Sequence, residues 1–353
     1  MKGLILAGGK GTRLRPITHT SAKQLVPVAN RPILFYGLEA MRDARIREVG
    51  IVVGDTAAEV EAAVGNGSAW DLEVTYIHQP EPLGLAHAVI VSRDYLGDDD
   101  FVMYLGDNLL LEGLGGFVEG FQRHGPNAQI FLAAVPEPER FGVAVLEGDR
   151  VVRLVEKPKE RISDLALVGV YLFDATVHEA VASVKPSWRG ELEITDSIQF
   201  LIDAGRTVRA EMVSGWWKDT GHLEDLLEAN RMMLSRLDPL VEGDVDDASS
   251  LVGPVSVAQG AKVSRSVIRG PAVIGADTVV EDSLVGPNAS ISFGCRIESS
   301  QIQDSIVMER CRVTEVRAMA QSLLGKDVEV RRGHDSSAMY RLMLGDQSQV
   351  EVF

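Results

Sequence analysis

The sequence predicts an α/β, Rossmann-like domain with a mostly parallel sheet, followed by a left-handed parallel β-helix. Three observations predict it. Short apolar runs alternate with helical patterns from the first residues to Asn108. A stretch at 238–250 then interrupts the chain with five acids, Pro239 and Gly243. Beyond it, aliphatic residues recur every five or six positions, a period that suits neither a helix nor an ordinary strand.

The elements follow in order. Gly3–Ala7 is a short apolar strand that ends in glycines, and Pro32 opens a helix with Ile33, Leu34, Leu38 and Met41 on one side. Glu48–Val53 and Val74–His78 read as strands, 56–64 and Leu85–Ser92 as helices, and Phe101–Leu105 as a strand closed by Gly106-Asp107-Asn108. Alternation of this kind makes βαβ units, whose ligands gather at the carboxyl ends of the strands. The loops 8–15 and 106–108 fall at two such ends. From Ile130 the pattern is more mixed. Strands are expected at 130–135, 143–146, 151–155, 168–173 and 208–213, and helices at 176–184, 194–204 and 222–237.

These elements divide the chain into an α/β domain at 1–237, an acidic linker at 238–250 and a β-helix with C-terminal tail at 251–353. In the last part Leu251, Val257, Val263, Ile268, Ile274, Val280, Val285, Ile291, Ile297, Ile302, Val307 and Val313 stand in near-perfect register. Three short faces, each with one inward aliphatic, close a triangular coil of about 17 residues that buries its core only by stacking on the next coil. Past residue 317 the period weakens, and further strands are expected near Val328–Val330 and Val350–Val352.

Composition narrows the function. The 51 acids and 35 bases give a net charge of −16, which argues against nucleic acid or an anionic membrane as a partner. Cys295 and Cys311 are too few for a disulfide framework, which fits a reducing compartment. The N-terminal apolar run is too short for a signal peptide, and no stretch approaches the ~20 apolar residues of a membrane span. A soluble, cytoplasmic protein is the expectation. Against this acidic background, residues 1–38 hold six bases and no acid, an arrangement suited to a small polyanion.

The spacing in that cationic segment is specific. Gly8-Gly9-Lys10-Gly11-Thr12-Arg13-Leu14 follows a strand, where glycines let backbone N–H groups approach a phosphate. It is not a P-loop, which needs Gly-x4-Gly-Lys-Ser/Thr. Nor is it the dinucleotide fingerprint, whose third glycine is replaced by Leu14 and whose distal acid is absent, the first acid being Glu39.

With Ala22-Lys23-Gln24-Leu25-Val26-Pro27, this loop resembles the paired signature of the sugar nucleotidyltransferases. The resemblance continues through Gln79–Gly84, Leu105–Asn108, Phe141-Gly142-Val143, Glu156-Lys157-Pro158, Gly190–Asp196 and Trp217–Gly221, and so covers about the first 230 residues in order. It implies transfer of a nucleotidyl group to a hexose 1-phosphate. That nucleophile is already anionic at neutral pH, so the reaction needs no general base. It needs cations and metal to bring two polyanions together.

The resemblance assigns roles residue by residue. Arg13 and Lys23 fall at the triphosphate and Lys157 at the sugar phosphate. Gly8, Gly9, Gly11, Thr12, Gln24, Gln79 and Gly84 fall around the nucleotide, with the Gln79 amide placed to pair with a pyrimidine edge. Asn108, Gly142, Glu156, Val168 and Tyr171 surround the hexose. Asp107 and Asp219 are the candidate ligands of Mg²⁺, a hard ion suited to carboxylates and phosphate oxygens. Asp107 also suits an ordinary turn, Asp219 also suits a cap for the helix near His222, and Glu156-Lys157-Pro158 also suits a charged loop. Trp216 and Trp217 are expected as core or sugar-wall aromatics, and His19 and His87 have no evident partner.

Lys23 followed by Gln24 resembles the thymidylyl members, whose substrates are dTTP and α-D-glucose 1-phosphate and whose products are dTDP-glucose and pyrophosphate. Uridylyl transfer from UTP and a non-catalytic nucleotide-sugar-binding subunit are the alternatives. A second, acyltransferase activity in the coil has little support, since 251–316 contains no His. The coil is expected to serve assembly or stability, with a homo-oligomer as the product.

Overall fold

The computed structural model describes residues 1–9, 11–19, 21–332 and 348–349. Lys10 of the glycine loop and the expected strand Val350–Val352 lie outside the described residues. The chain forms two compact units. The first comprises Met1–Gly11, Ser21–Leu25 and Ile33–Asp219. The second comprises Thr12–Thr20, Val26–Pro32 and the chain from Thr220 onward.

The first unit is built on a nine-stranded sheet. Its order is 73–78, 48–53, 2–6, 101–105, 165–173, 128–134, 208–212, 150–156 and 142–147. The first four strands are parallel, joined by crossover helices as the βαβ pattern requires. Antiparallel pairing enters with Leu165–Phe173. It continues where Gly142–Glu147 and Arg150–Glu156 form a hairpin around Gly148 (φ +62°), too tight for a crossover. The sheet is thus parallel on one side and mixed on the other. Its two faces bury separate cores. Leu38, Met41, Val60, Trp70 and Phe121 pack on one, and Val89, Leu96, Val181, Ile198 and Leu201 on the other.

This topology places the site. The central strands Lys2–Leu6 and Phe101–Leu105 lie side by side with Leu6 opposite Leu105, so Gly8 and Asp107 leave the sheet at the same point. The chain passes from Lys2–Leu6 outward to one edge and returns on the other side at Phe101–Leu105. That is the switch point at which open α/β sheets bind ligands.

In the second unit, three parallel sheets of six, five and five strands wind around one core, consistent with the left-handed β-helix. The register agrees with the sequence period: Leu251, Ile268, Val285 and Ile302 stack on one face, Val257, Ile274, Ile291 and Val307 on the second, and Val263, Val280, Ile297 and Val313 on the third. Met319, Leu324 and Val330 extend the three columns into the stretch where the period weakens. Asp244–Val245 also pairs with Lys262–Val263, so the coil starts inside the expected linker; Val245 packs against the coil's core, while the acids around it mask the hexad pattern. At one corner Ser266, Ser283 and Ser300 form a ladder, each hydroxyl accepting the backbone N–H of the coil above at 3.0–3.1 Å. Cys295 and Cys311 are buried, free thiols.

The helix Leu223–Ser235 belongs to this unit and is locked to the coil. Asn230, 1% exposed, accepts from Ala29 N at 2.9 Å and Ser290 Oγ at 2.7 Å, and donates to Asn288 O at 3.2 Å. Arg231 grips Asp304 with Nε and Nη2 at 2.5 and 2.6 Å.

Candidate active site

The first cluster is assembled by strand pairing. Asn108–Leu110 pairs antiparallel with Trp217–Asp219, setting Asp219 opposite Asn108 and therefore beside Asp107. Lys23, in a single 3-10 turn, sends its ammonium between the two acids. It is ion-paired to Asp107, and 3.9 Å separates it from Asp219 Oδ1. Burial alone would raise the Asp107 carboxyl. The charge and hydrogen bond of Lys23, with a hydrogen bond from Asn108 Nδ2 at 3.1 Å, outweigh burial and hold Asp107 below the usual carboxylate range. Asp107 is therefore more than a turn residue. The following helix is capped by His222 rather than by Asp219: the His222 side chain accepts from the first turn, and Asp225 Oδ2 accepts the His222 N–H at 3.0 Å.

The glycine loop meets two glutamines. A Cβ on Gly8 would stand 3.2 Å from Gln79 Oε1, and one on Gly9 3.7 Å from Gln24 Nε2. Gln79 Nε2 donates to Gly84 O at 3.3 Å and lies 3.0 Å from His87 Nδ1, so His87 has a partner that its sequence position did not reveal. Gly84 (φ +109°) is required by packing as well, since a Cβ there would lie 2.8 Å from Leu192 N. Thr12 and Arg13 belong to the second unit, where Arg13 Nη1 lies 3.5 Å from His222 Nε2.

The second cluster forms where Gly142 pairs with Glu156. Lys157 follows with φ +42°, its N–H held by Phe141 O at 3.0 Å. Glu156 Oε2 accepts from Thr195 Oγ1 at 3.4 Å, and its Oε1 lies 3.5 Å from Arg189 Nη1. Burial and the charge of Glu193 push Glu156 up to about 7, against the opposing pull of Lys157, Arg189 and Thr195. Burial, with Glu156 nearby, likewise raises the Tyr171 hydroxyl well above its usual value. Val168 is wholly buried, and the pairing of its strand with 128–134 is interrupted between Leu167 and Tyr171, so its backbone rather than its side chain is what it can offer a ligand.

Trp217 joins the clusters: its Nε1 donates to Asn108 Oδ1 at 2.6 Å, and its ring meets Phe141 edge-on at 5.5 Å. Arg189, Glu193 and Thr195 were missed as individual residues, although the motif around Gly190–Asp196 contains two of them.

A sequence model of the nucleotidyl transferases matches residues 2–236. The chain belongs to this family. It is 55% identical to a glucose-1-phosphate thymidylyltransferase of Streptomyces griseus over all of this chain and 99% of that protein. It is 42% identical to the low-salt glycan biosynthesis nucleotidyltransferase Agl11 of Haloferax volcanii over the whole of both chains. A crystal structure from Bacillus anthracis in complex with a sucrose, provisionally assigned as a glucose-1-phosphate thymidylyltransferase, superposes with a TM-score of 0.62 at 36% identity. The match covers 66% of this chain and 94% of that one. The sequence resemblance and the fold therefore agree on the family. The full-length relatives match across the coil as well as the α/β unit.

Proposed function

We propose that this nucleotidyltransferase transfers a thymidylyl group from dTTP to α-D-glucose 1-phosphate, giving dTDP-glucose and pyrophosphate. The observation that carries the reading is Lys23 set between Asp107 and Asp219 at the switch point of the sheet. The names of the full-length relatives favour the substrates.

Two carboxylates meeting on one ammonium form a hard-oxygen set with excess negative charge, which fits Mg²⁺. Asp107 and Asp219 would hold the ion, and when bound it would neutralise phosphate charge. The chain's own residues do the rest. Lys23 neutralises charge between the acids and the triphosphate. Arg13, two residues beyond Gly11 along the chain, meets the charge that develops as pyrophosphate departs. Lys157 binds the sugar phosphate and aligns it for in-line attack on the α-phosphate. Gly8, Gly9, Gly11, Thr12 and Gln24 hold the nucleotide, with Gln79 and Gly84 at the base. Asn108, Gly142, Glu156 and Tyr171 enclose the hexose, together with the Val168 backbone. Two buried thiols fit the cytoplasmic setting we assign, and among the described residues no helix is long and apolar enough to cross a membrane. The coil serves assembly of a homo-oligomer.

The test is pyrophosphate release with glucose 1-phosphate across dTTP, UTP, ATP, CTP and GTP. The expected outcome is fastest release with dTTP. Faster release with UTP would overturn the thymidylyl assignment, and no release with any nucleotide would overturn the catalytic one.

A further inference from the structure

The hexose side of the site contains a buried acid that this reaction does not use. Glu193, 3% exposed, precedes the helix Ile194–Asp203. Its Oε1 accepts from Ser187 Oγ at 2.8 Å and from Arg189 Nη1 at 3.2 Å, and its Oε2 lies 3.5 Å from the same Nη1. That nitrogen also stands 3.5 Å from Glu156 Oε1, while Arg189 Nη2 donates to Glu191 Oε1 at 2.8 Å. One rigid guanidinium is thus shared by three carboxylates, and its direction is set by where they stand. The loop is fixed independently, because Ser187 N donates to Glu191 O at 2.8 Å and Arg189 N to Ser187 Oγ at 3.1 Å.

We propose that Glu193 is a positioning residue of the hexose subsite: by holding Arg189 across Glu156, it fixes the orientation and the charge of the carboxylate that accepts from the sugar. This rests on the reading of Glu156 as a hexose ligand. The groups facing Glu156 are Glu193 and Thr195 at the start of the 194–203 helix, Lys157 on its own segment, Arg189 on the 184–192 loop and the Tyr171 hydroxyl from the strand 165–173. Glu193 is the acid among them that opposes ionisation of Glu156 most strongly, and Glu156 ionises at about 7. Below that pH Glu156 is neutral and a poorer acceptor; above it the carboxylate accepts fully. The KM for glucose 1-phosphate therefore falls as pH rises through this range. Removing the Glu193 charge lets Glu156 ionise earlier, so the inflection moves to lower pH.

The experiment measures KM for both substrates between about pH 5.5 and 9 in the full-length wild type, Glu193→Gln and Glu193→Asp, with folding checked by circular dichroism. The substrate phosphate ionises near about 6 in every case, so that contribution cancels between variants. Glu193→Gln should lower the glucose 1-phosphate inflection by about one pH unit and leave the dTTP KM unchanged. Glu193→Asp keeps the charge on a shorter arm. It should keep the inflection and raise the glucose 1-phosphate KM by about threefold or more, as Arg189 is drawn away from Glu156. A folded Glu193→Gln with the wild-type inflection would overturn the proposal, as would a Glu193→Asp that leaves the glucose 1-phosphate KM unchanged. If Glu193→Gln does not fold, the Asp variant decides alone. A wild type whose pyrophosphate release ignores glucose 1-phosphate would instead overturn the functional reading beneath it.

Discussion

Adding one methyl group at Gly142 should separate the two halves of the reaction. A Cβ there would stand 2.7 Å from Thr195 Cγ2 and 2.9 Å from Glu156 Oε2, both closer than side chains tolerate, and 3.4 Å from Leu167 Cδ1. Ordinary contact begins near 3.4 Å, so Thr195 and Glu156 must each withdraw by roughly half an ångström or more. Gly142 does not have a positive φ, so alanine brings no backbone strain. The displaced atoms are side-chain ends, so overpacking should cost about 1–2 kcal/mol and lower the melting temperature by a few degrees. The effect on turnover should be larger. A misplacement of about 1 Å in a reacting geometry can cost on the order of a hundredfold, about 2.7 kcal/mol of transition-state stabilisation. The assay is pyrophosphate release with each substrate varied in turn. In Gly142→Ala, kcat/KM for glucose 1-phosphate should fall about ten- to a hundredfold, while the dTTP KM stays within about twofold. An unchanged kcat/KM for glucose 1-phosphate in a folded variant would refute the reasoning, because Thr195 and Glu156 cannot both remain where they are.

Three further outcomes follow from the same geometry. Asp219→Asn leaves Lys23 paired with Asp107, so the fold should persist while turnover falls about a hundredfold and the Mg²⁺ needed for half-maximal activity rises; wild-type turnover at ordinary Mg²⁺ would remove the metal assignment. Lys157→Ala should chiefly raise the KM for glucose 1-phosphate, and a change confined to the dTTP KM would show that the sugar-phosphate role is wrong. Ile274, fully buried and stacked between Val257 and Ile291, should not accept Asp: a buried charge without a partner costs several kcal/mol, so the coil should melt many degrees earlier, and unaltered melting would contradict its inward placement.

The legible parts of this molecule are those whose chemistry is local in sequence. The coil repeats its geometry every turn, so its aliphatic period specifies the three faces and their register. Its Asp244–Val245 start and its Ser266–Ser283–Ser300 ladder were hidden. Acids and serines carry no period of their own, and their meaning comes from the neighbouring coil. The glycine loop and Asp107 were legible because they follow strands, and Lys23, in a 3-10 turn, because of the motif around it. Asp219 was ambiguous because Asp-Thr-Gly before a helix reads equally as a cap. The pairing of Trp217–Asp219 with Asn108–Leu110 joins segments more than a hundred residues apart, and Asp225 turns out to serve the helix. Arg189 and Glu193 were missed for a similar reason, since an arginine among glutamates looks like a solvated surface until burial counts its partners.

The helix Leu223–Ser235 shows what a linear reading cannot supply. Its sequence places it at the end of the α/β domain, and nothing in its apolar spacing says which body it packs on. Its polar residues decide. Asn230 meets Ala29, Asn288 and Ser290 through both ends of its amide, and Arg231 meets both oxygens of Asp304. A buried amide so fully satisfied is costly to unmake, because each partner it leaves is a desolvated polar group. The segment 26–32 is tied to the coil as well, with Asn30 donating to Ile291 O at 2.5 Å. The coil is therefore not an appendage tied on after residue 237. It shares a unit with the helix and with residues drawn from the first thirty of the chain, including the segment that bears Arg13. A cut placed in the acidic stretch would leave the buried Asn230, and with it Asn30 and Arg231, without Asn288, Ser290, Ile291 and Asp304 on the coil, so the helix 223–235 and the segment 26–32 should lose order with it.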